Sequence, residues 1–383
     1  MGDPAVSERR WQVPLADVAV GDELTEAVLG VVRSGWWSMG PRVEEFESAF
    51  SEFTGSGHAF AVASGTAALH LALLAVGCGP GDEVVVPSLN FVAAANTIVH
   101  TGAEPVFCDV GGPEDLNLSP ADLEAALSER TKAVVVLHYG GQPCDMDAVL
   151  ALAERRGLAV VEDAAHAPGA THRGRACGTM GAVGCFSFFS NKNLPVGEGG
   201  MIVTNDDELA TRLRLLRSHG MTTLTWDRHR GHASGYDVLL PGFNYRLDEV
   251  RAVVGLEQLR RLPEENAARA RVVERYRELL DGVAGLSMPF APVAGLESAH
   301  HLAVVLLPPG AERDPIRAEL ADRGVQTSVH YPPIHRFTAY HALSRRPLPQ
   351  TDAVAGRLLT LPLYGGLSDE QVETVVDGLR QTL

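Results

Sequence analysis

The 383-residue chain has few of the features that mark several common protein classes. No two of its five cysteines are spaced as Cys-x-x-Cys, which argues against an iron–sulfur or zinc framework and favours free thiols. Lys and Arg total 32 against 48 Asp and Glu, a formal net charge of −16 with no basic run. Such a surface repels a phosphate backbone, so nucleic acid is not an expected partner.

Long apolar runs are also absent. The longest, residues 59–77, is interrupted by Ser64, Gly65, Thr66 and His70. This pattern predicts a strand followed by a helix and excludes a membrane span. The first residues lack the apolar segment of a signal peptide. We therefore expect a soluble, cytoplasmic protein without a membrane partner.

What the chain does contain is a regular alternation of β-rich and helical segments, typical of an α/β protein. We expect a large domain with a mostly parallel, seven-stranded sheet flanked by helices. The predicted strands are residues 59–64, 83–88, 104–109, 132–137, 158–163, 184–189 and 200–205. The predicted helices between them include residues 65–76, 89–100, 120–128 and 146–156.

The pattern of predicted helices and strands changes after residue 242. Residues 248–262 and 263–280 read as two charged amphipathic helices, separated at Pro263. Strand-like and helical segments then alternate to the end of the chain. We predict a large domain over residues 14–245 and a smaller α+β domain over residues 246–383.

Three segments carry chemistry, and the first is SGTAALHLALLA at 64–75. A strand ends at Ser64, and a helix begins at once after Gly65. Free backbone N–H groups and the positive end of the helix dipole suit a phosphate there, with Gly65 and Thr66 as contacts. Taken alone, the segment is only a weak indication, because ordinary strand-to-helix turns with glycine are common.

The second segment is VVEDAAHAPGA at 160–170. Glu162 and Asp163 close a buried strand, at the sheet edge where open α/β proteins keep their ligands, and His166 follows. We expect both carboxylates at the rim of a pocket, with Asp163 facing a cation. The alternative is a helix-capping Asp and a packed His.

The third segment, residues 184–206, places Ser187 on an aromatic strand and Lys192 in the loop that follows. Burial lowers the pKa of a lysine and makes its amine a nucleophile toward carbonyls. The alternative is a solvated lysine on a flexible loop.

Together the three segments supply what pyridoxal phosphate requires. The cofactor needs a phosphate site, a lysine for its aldehyde and a carboxylate that keeps its ring nitrogen protonated. Phe91, after the second strand, could stack on the ring.

The chain as a whole, from about Pro14 to its C-terminus, resembles the DegT/DnrJ/StrS family of sugar aminotransferases. The resemblance rests on an ordered series of motifs: SGTAALHLALLA, PGDEVVVPSLNFVAAAN, TKAVVVLHYGGQPCDMD, EDAAHAPGA, CFSFFSNKNLPVGEGGMIVTND, NYRLDEVRAVVGLEQL and HYPPIH.

This resemblance implies an aspartate-aminotransferase-like fold, known as fold type I, and a role for each matching residue. Lys192 matches the Schiff-base lysine, and Asp163 matches the partner of the ring nitrogen. Phe91 matches the aromatic stacked on the ring, and His166 the residue beside its 3-hydroxyl.

The resemblance also implies a phosphate site and a second subunit. Gly65, Thr66 and Ser187 match the phosphate-binding positions. Asn244 matches an asparagine that reaches the cofactor phosphate of the neighbouring subunit. The family therefore implies a homodimer with shared active sites.

Two further segments bear on ligands. Residues 218–238 are longer and more basic than expected for the family, and form either a solvated loop or an anion-recognising lid. The basic residues of this segment are His219, Arg228, His229, Arg230 and His232. His330 and His335 have no third ligand at suitable spacing, so we expect no metal and place them at the substrate entrance.

The function these observations favour is an aminotransferase. Its expected donor is an amino acid, by family analogy glutamate, and its expected acceptor a nucleotide-linked keto-sugar or related natural-product intermediate. Family members that act as dehydratases carry His in place of Lys192. A dehydratase, decarboxylase or lyase on the same scaffold is the alternative, and a non-catalytic cofactor-binding protein is a weaker one.

Overall fold

The computed structural model of the chain describes residues 11–223, 226, 231 and 235–383. Its main sheet contains seven strands in the order β1-β11-β10-β7-β6-β2-β3. These strands are β1 (His58–Val62), β2 (Glu83–Pro87), β3 (Glu104–Cys108), β6 (Thr131–Leu137), β7 (Ala159–Asp163), β10 (Val183–Ser187) and β11 (Gly200–Thr204).

The expected α/β fold with a mostly parallel seven-stranded sheet is confirmed. Within the sheet, β11 runs antiparallel to both of its neighbours, β1 and β10. The remaining neighbours pair in parallel. Because β1 and β10 both oppose β11, they run in the same direction, so the carboxyl ends of six strands meet at one edge.

Helices cover both faces of this sheet and bury two apolar clusters against it. Those of residues 11–217 are α1 (Asp22–Ser34), α2 (Pro41–Thr54), α3 (Gly65–Ala75), α4 (Ala93–His100), α5 (Pro120–Ala126), α6 (Met146–Arg156) and α7 (Asp207–Arg217). The four short strands outside the main sheet in this part of the chain are β4 (Val110–Gly112), β5 (Asp115–Leu118), β8 (Thr171–His172) and β9 (Arg175–Ala176).

Residues 249–383 form a smaller α+β unit with a further apolar cluster. Its central pair of strands, β13 and β14, is antiparallel. The elements are α8 (Glu249–Leu280), β12 (Leu296–Glu297), β13 (Ala303–Leu306), α9 (Arg313–Asp322), α10 (Pro349–Ala355), β14 (Leu358–Leu361) and α11 (Asp369–Thr382).

The prediction of two helices separated at Pro263 is wrong, because α8 continues through this proline. Pro263 lacks one N–H and disfavours a helix interior by about 3 kcal/mol. Packing outweighs this cost, because the first half of α8 buries Leu256 and Leu259 in the apolar cluster between α2 and the main sheet. The second half buries Val273 and Tyr276 in the smaller cluster.

The division into residues 14–245 and 246–383 stays a prediction, since α8 contributes to both clusters. No helix among the described residues is long and apolar enough to cross a membrane.

Candidate active site

A cavity of about 390 Å³ lies at the edge where the parallel strands of the main sheet end. Loops after β1, β2, β7 and β10 contribute to its walls, which is the usual position of a ligand in an open α/β sheet. Of the residues predicted to act in catalysis or to bind the cofactor, all except Asn244 line this cavity, namely Gly65, Thr66, Phe91, Asp163, His166, Ser187 and Lys192.

One wall of the cavity is the start of α3. The Ser64 side chain caps this helix by accepting the N–H of Ala67 at 3.1 Å. The first N–H groups of a helix have no carbonyl partner within it, so those of Gly65 and Thr66 are available to an anion. Gly65 is required here, because a Cβ at this position would lie 2.7 Å from the Cβ of Ser187.

Lys192 lies in the loop between β10 and β11, partly buried against the cavity. The backbone N–H of Lys192 donates to the carbonyl of Phe189 at 2.8 Å, and this hydrogen bond holds the loop in a turn. Loss of hydration lowers the pKa of Lys192 to about 8, although the charge of Asp163 acts in the opposite direction. A substantial fraction of the amine is therefore neutral, and nucleophilic, near physiological pH.

The residue after Lys192 fixes this loop to the rest of the molecule. The buried Asn193 amide donates to the carbonyl of Ala299 at 2.7 Å and to Oδ1 of Asn266 at 2.8 Å. Its own oxygen pairs with Nδ1 of His301 at 2.9 Å. The clamp formed by Asn193 with Asn266, Ala299 and His301 ties the lysine loop to α8 and to the segment before β13.

Asp163 and Glu162 do not share the cavity, so the expectation that both carboxylates lie at its rim is wrong for Glu162. Successive side chains of a strand point to opposite faces, and only Asp163 lines the cavity. Glu162 is fully buried on the other side, where its carboxylate accepts the N–H groups of Gly178, Met180 and Gly181.

The two carboxyl groups therefore differ in electrostatics. Burial raises the pKa of Asp163 above its ordinary value, while the Ala165 N–H and the positive charge of Lys192 act against that shift. Burial also acts to raise the pKa of Glu162, but the hydrogen bond and charge of His138 outweigh it and the pKa is lowered. Asp163 is thus the carboxyl group that gains most from a cation placed in the cavity.

His166 and Phe91 face the cavity from two sides. His166 is buried, and its Nε2 lies 2.8 Å from the hydroxyl of Tyr331. Phe91 is 55% exposed, with its ring centroid 5.8 Å from that of Tyr331. An apolar ring that is open on one face is available to stack on a planar ligand.

Among the cavity residues that the sequence did not predict are two polar ones, Asn90 and Tyr331. Asn90 is buried beside Phe91, and its side chain helps to stabilise the ionised form of Asp163. Both residues fall within motifs that mark the family resemblance, PSLNF and HYPPIH. Neither has a spacing or periodicity of its own that would have identified it.

The two histidines expected at the substrate entrance are separated. His330 lines the cavity, whereas His335 is buried against Ser88, with 2.7 Å between its Nδ1 and the Ser88 hydroxyl. The other ring nitrogen of His335 lies 3.2 Å from Asp352. His335 therefore has a structural role between the loop after β2 and α10.

Asn244 is exposed and lies outside the cavity lining, bridged to Ser218. Of the basic residues predicted for an anion-recognising lid, His219 is described and does not line the cavity. Arg228, His229, Arg230 and His232 lie outside the described residues.

Known proteins share this architecture. The chain matches the model of the DegT/DnrJ/EryC1/StrS aminotransferase family over residues 19–380. It belongs to this family. It is 42% identical to the spore coat polysaccharide biosynthesis protein SpsC of Bacillus subtilis (strain 168), with 98% of each chain covered.

Solved structures agree with this assignment. The aminotransferase TlmJ from Streptoalloteichus hindustanus is 40% identical with a TM-score of 0.90, over 97% of this chain and 98% of that chain. Spr1654 of Streptococcus pneumoniae, named as a sugar aminotransferase, is 29% identical in its PMP-form, with a TM-score of 0.91 over 97% of this chain and 99% of that chain. A PLP-form of Spr1654 is also similar. The chain is thus an aminotransferase that depends on pyridoxal phosphate.

The cavity of this aminotransferase fits its cofactor. It combines a lysine amine whose pKa is lowered to about 8 with a buried carboxyl group that a cation would stabilise. It also offers a helix start with no room for a side chain larger than hydrogen at Gly65. These are the groups that an aldehyde, a protonated ring nitrogen and a phosphate require.

Proposed function

We propose that Lys192 is the residue that binds pyridoxal phosphate covalently in this aminotransferase, with Asp163 as the partner of the ring nitrogen. The observation that carries this proposal is the presence of both side chains in one cavity, at the carboxyl ends of β7 and β10. A protonated ring nitrogen beside the buried Asp163 carboxyl group stabilises its ionised form.

The other lining residues have roles that follow from their positions. The N–H groups of Gly65 and Thr66 and the hydroxyl of Ser187 hold the phosphate at the start of α3. Phe91 packs on one face of the ring through its exposed surface. His166 lies beside the ring's 3-hydroxyl, as its match to the family motif implies.

When bound, the cofactor stores the amino group between the two half-reactions and withdraws electrons from the substrate carbon. Once it is no longer bonded to the cofactor, Nζ of Lys192 takes up and returns the proton at that carbon, since a pKa lowered to about 8 allows the free amine to act in both directions near neutral pH. The clamp around Asn193 holds the lysine loop in place during this transfer.

The proposed substrates are glutamate as the amino donor and a nucleotide-linked keto-sugar, or a related natural-product intermediate, as the acceptor. Support for a sugar acceptor comes from relatives, namely SpsC in spore coat polysaccharide biosynthesis and Spr1654, named as a sugar aminotransferase. The donor rests on analogy with the family.

The enzyme is proposed to act as a homodimer in which Asn244 reaches the cofactor phosphate of the partner subunit. Within one chain, Asn244 is exposed and outside the cavity lining. An exposed position is compatible with a contact to a second copy.

Product analysis tests the substrate proposal. The purified enzyme is incubated with a nucleotide-linked keto-sugar, with and without glutamate, and the products are identified by mass spectrometry. An amino-sugar that forms only with glutamate, together with equimolar 2-oxoglutarate, is the expected result. A dehydrated or cleaved sugar that forms without any amino donor would instead assign the chain to the dehydratase or lyase alternative.

A further inference from the structure

The hydrogen bonds of His166 determine which of its ring nitrogens carries a proton. The backbone N–H of Gly140 donates to Nδ1 of His166 at 3.3 Å. A backbone N–H can only donate, so Nδ1 must offer a lone pair. A neutral imidazole has one N–H, and in His166 that proton therefore lies on Nε2.

The same reasoning orients the next group in the chain of hydrogen bonds. Nε2 of His166 lies 2.8 Å from the hydroxyl of Tyr331, and because Nε2 is the donor, the tyrosine oxygen accepts. Tyr331 lines the cavity. Among the described residues, this hydroxyl forms its hydrogen bond with His166. The proton of the Tyr331 hydroxyl is then free to point toward a molecule bound in the cavity.

Electrostatics support the two protonation states. Burial lowers the pKa of His166 well below its ordinary value, and the nearby charge of Lys192 lowers it further, so the ring is neutral. Burial raises the pKa of Tyr331 well above its ordinary value, and Tyr139 and Asp163 add to this shift. The Tyr331 phenol therefore stays protonated and serves as a hydrogen-bond donor.

Packing fixes where this donor stands. The ring of Tyr331 stacks on that of His166 with an interplanar angle of 23°, and it lies tilted by 51° against the ring of Phe91. Gly140, at the far end of the relay, is held by the N–H groups of His301 and Leu302, which both donate to its carbonyl. The orientation of the hydroxyl thus depends on the backbone and on packing, and a ligand does not have to create it.

We propose that Tyr331 donates a hydrogen bond from its hydroxyl to an oxygen of the molecule bound in this cavity, and that Gly140 and His166 orient it for this purpose. The chemistry recognised is an oxygen with partial negative charge, on either the cofactor ring or the carbonyl of the substrate. The inference rests on the proposed position of the cofactor, and it assigns the contact with that oxygen to Tyr331 while His166 acts through it.

The variant Tyr331→Phe tests this inference, because it removes the hydroxyl and keeps the ring that packs on His166 and Phe91. The matched control is Tyr276→Phe, which removes the buried hydroxyl that donates to Pro362 in the smaller unit. Two readouts are compared with wild type. One is the absorbance maximum of the bound cofactor without substrate, and the other is the single-turnover rate at which the pyridoxamine-loaded enzyme reacts with 2-oxoglutarate.

Either of two results supports the proposal. A shifted absorbance maximum in Tyr331→Phe assigns the oxygen to the cofactor. An unchanged spectrum with a single-turnover rate reduced about tenfold to a hundredfold assigns it to the substrate carbonyl, a loss typical of one hydrogen bond to a partly charged group. Tyr276→Phe should match wild type in both readouts.

A Tyr331→Phe enzyme equal to wild type in both spectrum and rate overturns the inference. That outcome leaves the proposed function intact. Failure of the proposed function would appear in the wild type itself, as the absence of any covalently held cofactor on Lys192.

Discussion

At the scale of single residues, neighbouring carboxyl groups on β7 serve different purposes. Asp163 faces the cavity, whereas Glu162 accepts three backbone N–H groups from the segment that leads into β10. The Glu162 carboxylate also forms a hydrogen bond with Nε2 of His138, at 3.0 Å. The buried Glu162 carboxylate thereby positions β10, whose end carries Ser187 and the lysine loop.

The substitution Glu162→Gln should destabilise the fold. It places an amide N–H₂ against backbone donors and leaves at least one of them unpaired, a loss of about 2–4 kcal/mol in the free energy of unfolding. Urea denaturation of wild type and variant measures this difference. Glu124→Gln, at a surface pair 4.0 Å from Arg155, is the control and should change the value by less than about 0.5 kcal/mol.

The reaction of the Lys192 amine with a labelling reagent should increase with pH, and the pH at half-maximal reaction should be unusually low for a lysine. Only the deprotonated amine reacts, and its pKa is lowered from 10.5 to about 8. Amine-reactive labelling of the cofactor-free protein, read by peptide mass spectrometry with exposed Lys132 as a reference, reports this midpoint. Asp163→Asn should lower it further, because the charge of Asp163 raises the pKa of Lys192. A midpoint near 10.5 would contradict the account.

At the scale of structural elements, the loop between β10 and β11 depends on the clamp around Asn193. This side chain joins Lys192 to Asn266 of α8, to Ala299 and to His301. Its hydrogen bonds are buried, so each is costly to leave unmade.

The substitution Asn193→Ala should loosen this loop and accelerate release of the cofactor about tenfold, the equivalent of one net hydrogen bond. Stopped-flow or dialysis measurements of cofactor loss provide the test. The control is Asn205→Ala, which removes an amide bonded to Gly57 and Thr179 away from the cavity. Equal release from both variants would show that the clamp does not hold the lysine loop.

The elements of the main sheet are the part of the structure that the sequence predicts best. Short apolar runs ending in polar residues identify strands such as β7, and Gly65 identifies the start of α3. Local sequence patterns give a wrong prediction where tertiary packing determines the structure. At Pro263, packing of the two halves of α8 in two apolar clusters keeps the helix continuous. Local patterns also fail for Glu162, whose partners are backbone groups that leave no trace in residue identity.

The residues of the active site show the same contrast between what the local sequence predicts and what only the tertiary structure reveals. Lys192, Asp163 and Gly65 have chemistry that sequence can suggest, because each residue type suits one part of the cofactor. Tyr331 comes from a segment 139 positions after Lys192 along the chain, and only the tertiary structure brings its hydroxyl to His166. The direction of its proton depends on the N–H of Gly140, which no sequence pattern encodes.

At the scale of the whole molecule, the proposed sharing of active sites between subunits can be tested with mixed dimers. Lys192→Ala and Asn244→Ala should each be impaired alone. If Asn244 serves the partner's site, a dimer of one subunit of each kind contains one intact site. Activity should therefore reappear when the two variants are co-expressed or refolded together.

Control mixtures of each variant with itself should stay at the level of the single variants. Activity that does not recover in a verified mixed dimer would place Asn244 in the site of its own chain or outside the site altogether.

The most direct test of the central claim is an absorbance spectrum of the purified, cofactor-loaded enzyme before and after addition of glutamate. A visible band is expected from the cofactor bound to Lys192, and it should disappear when glutamate converts the cofactor to its amine form. The band should be missing in Lys192→Ala. A wild-type enzyme that shows no such band despite excess cofactor, or a Lys192→Ala variant that keeps it and transfers amino groups at the wild-type rate, would contradict the account.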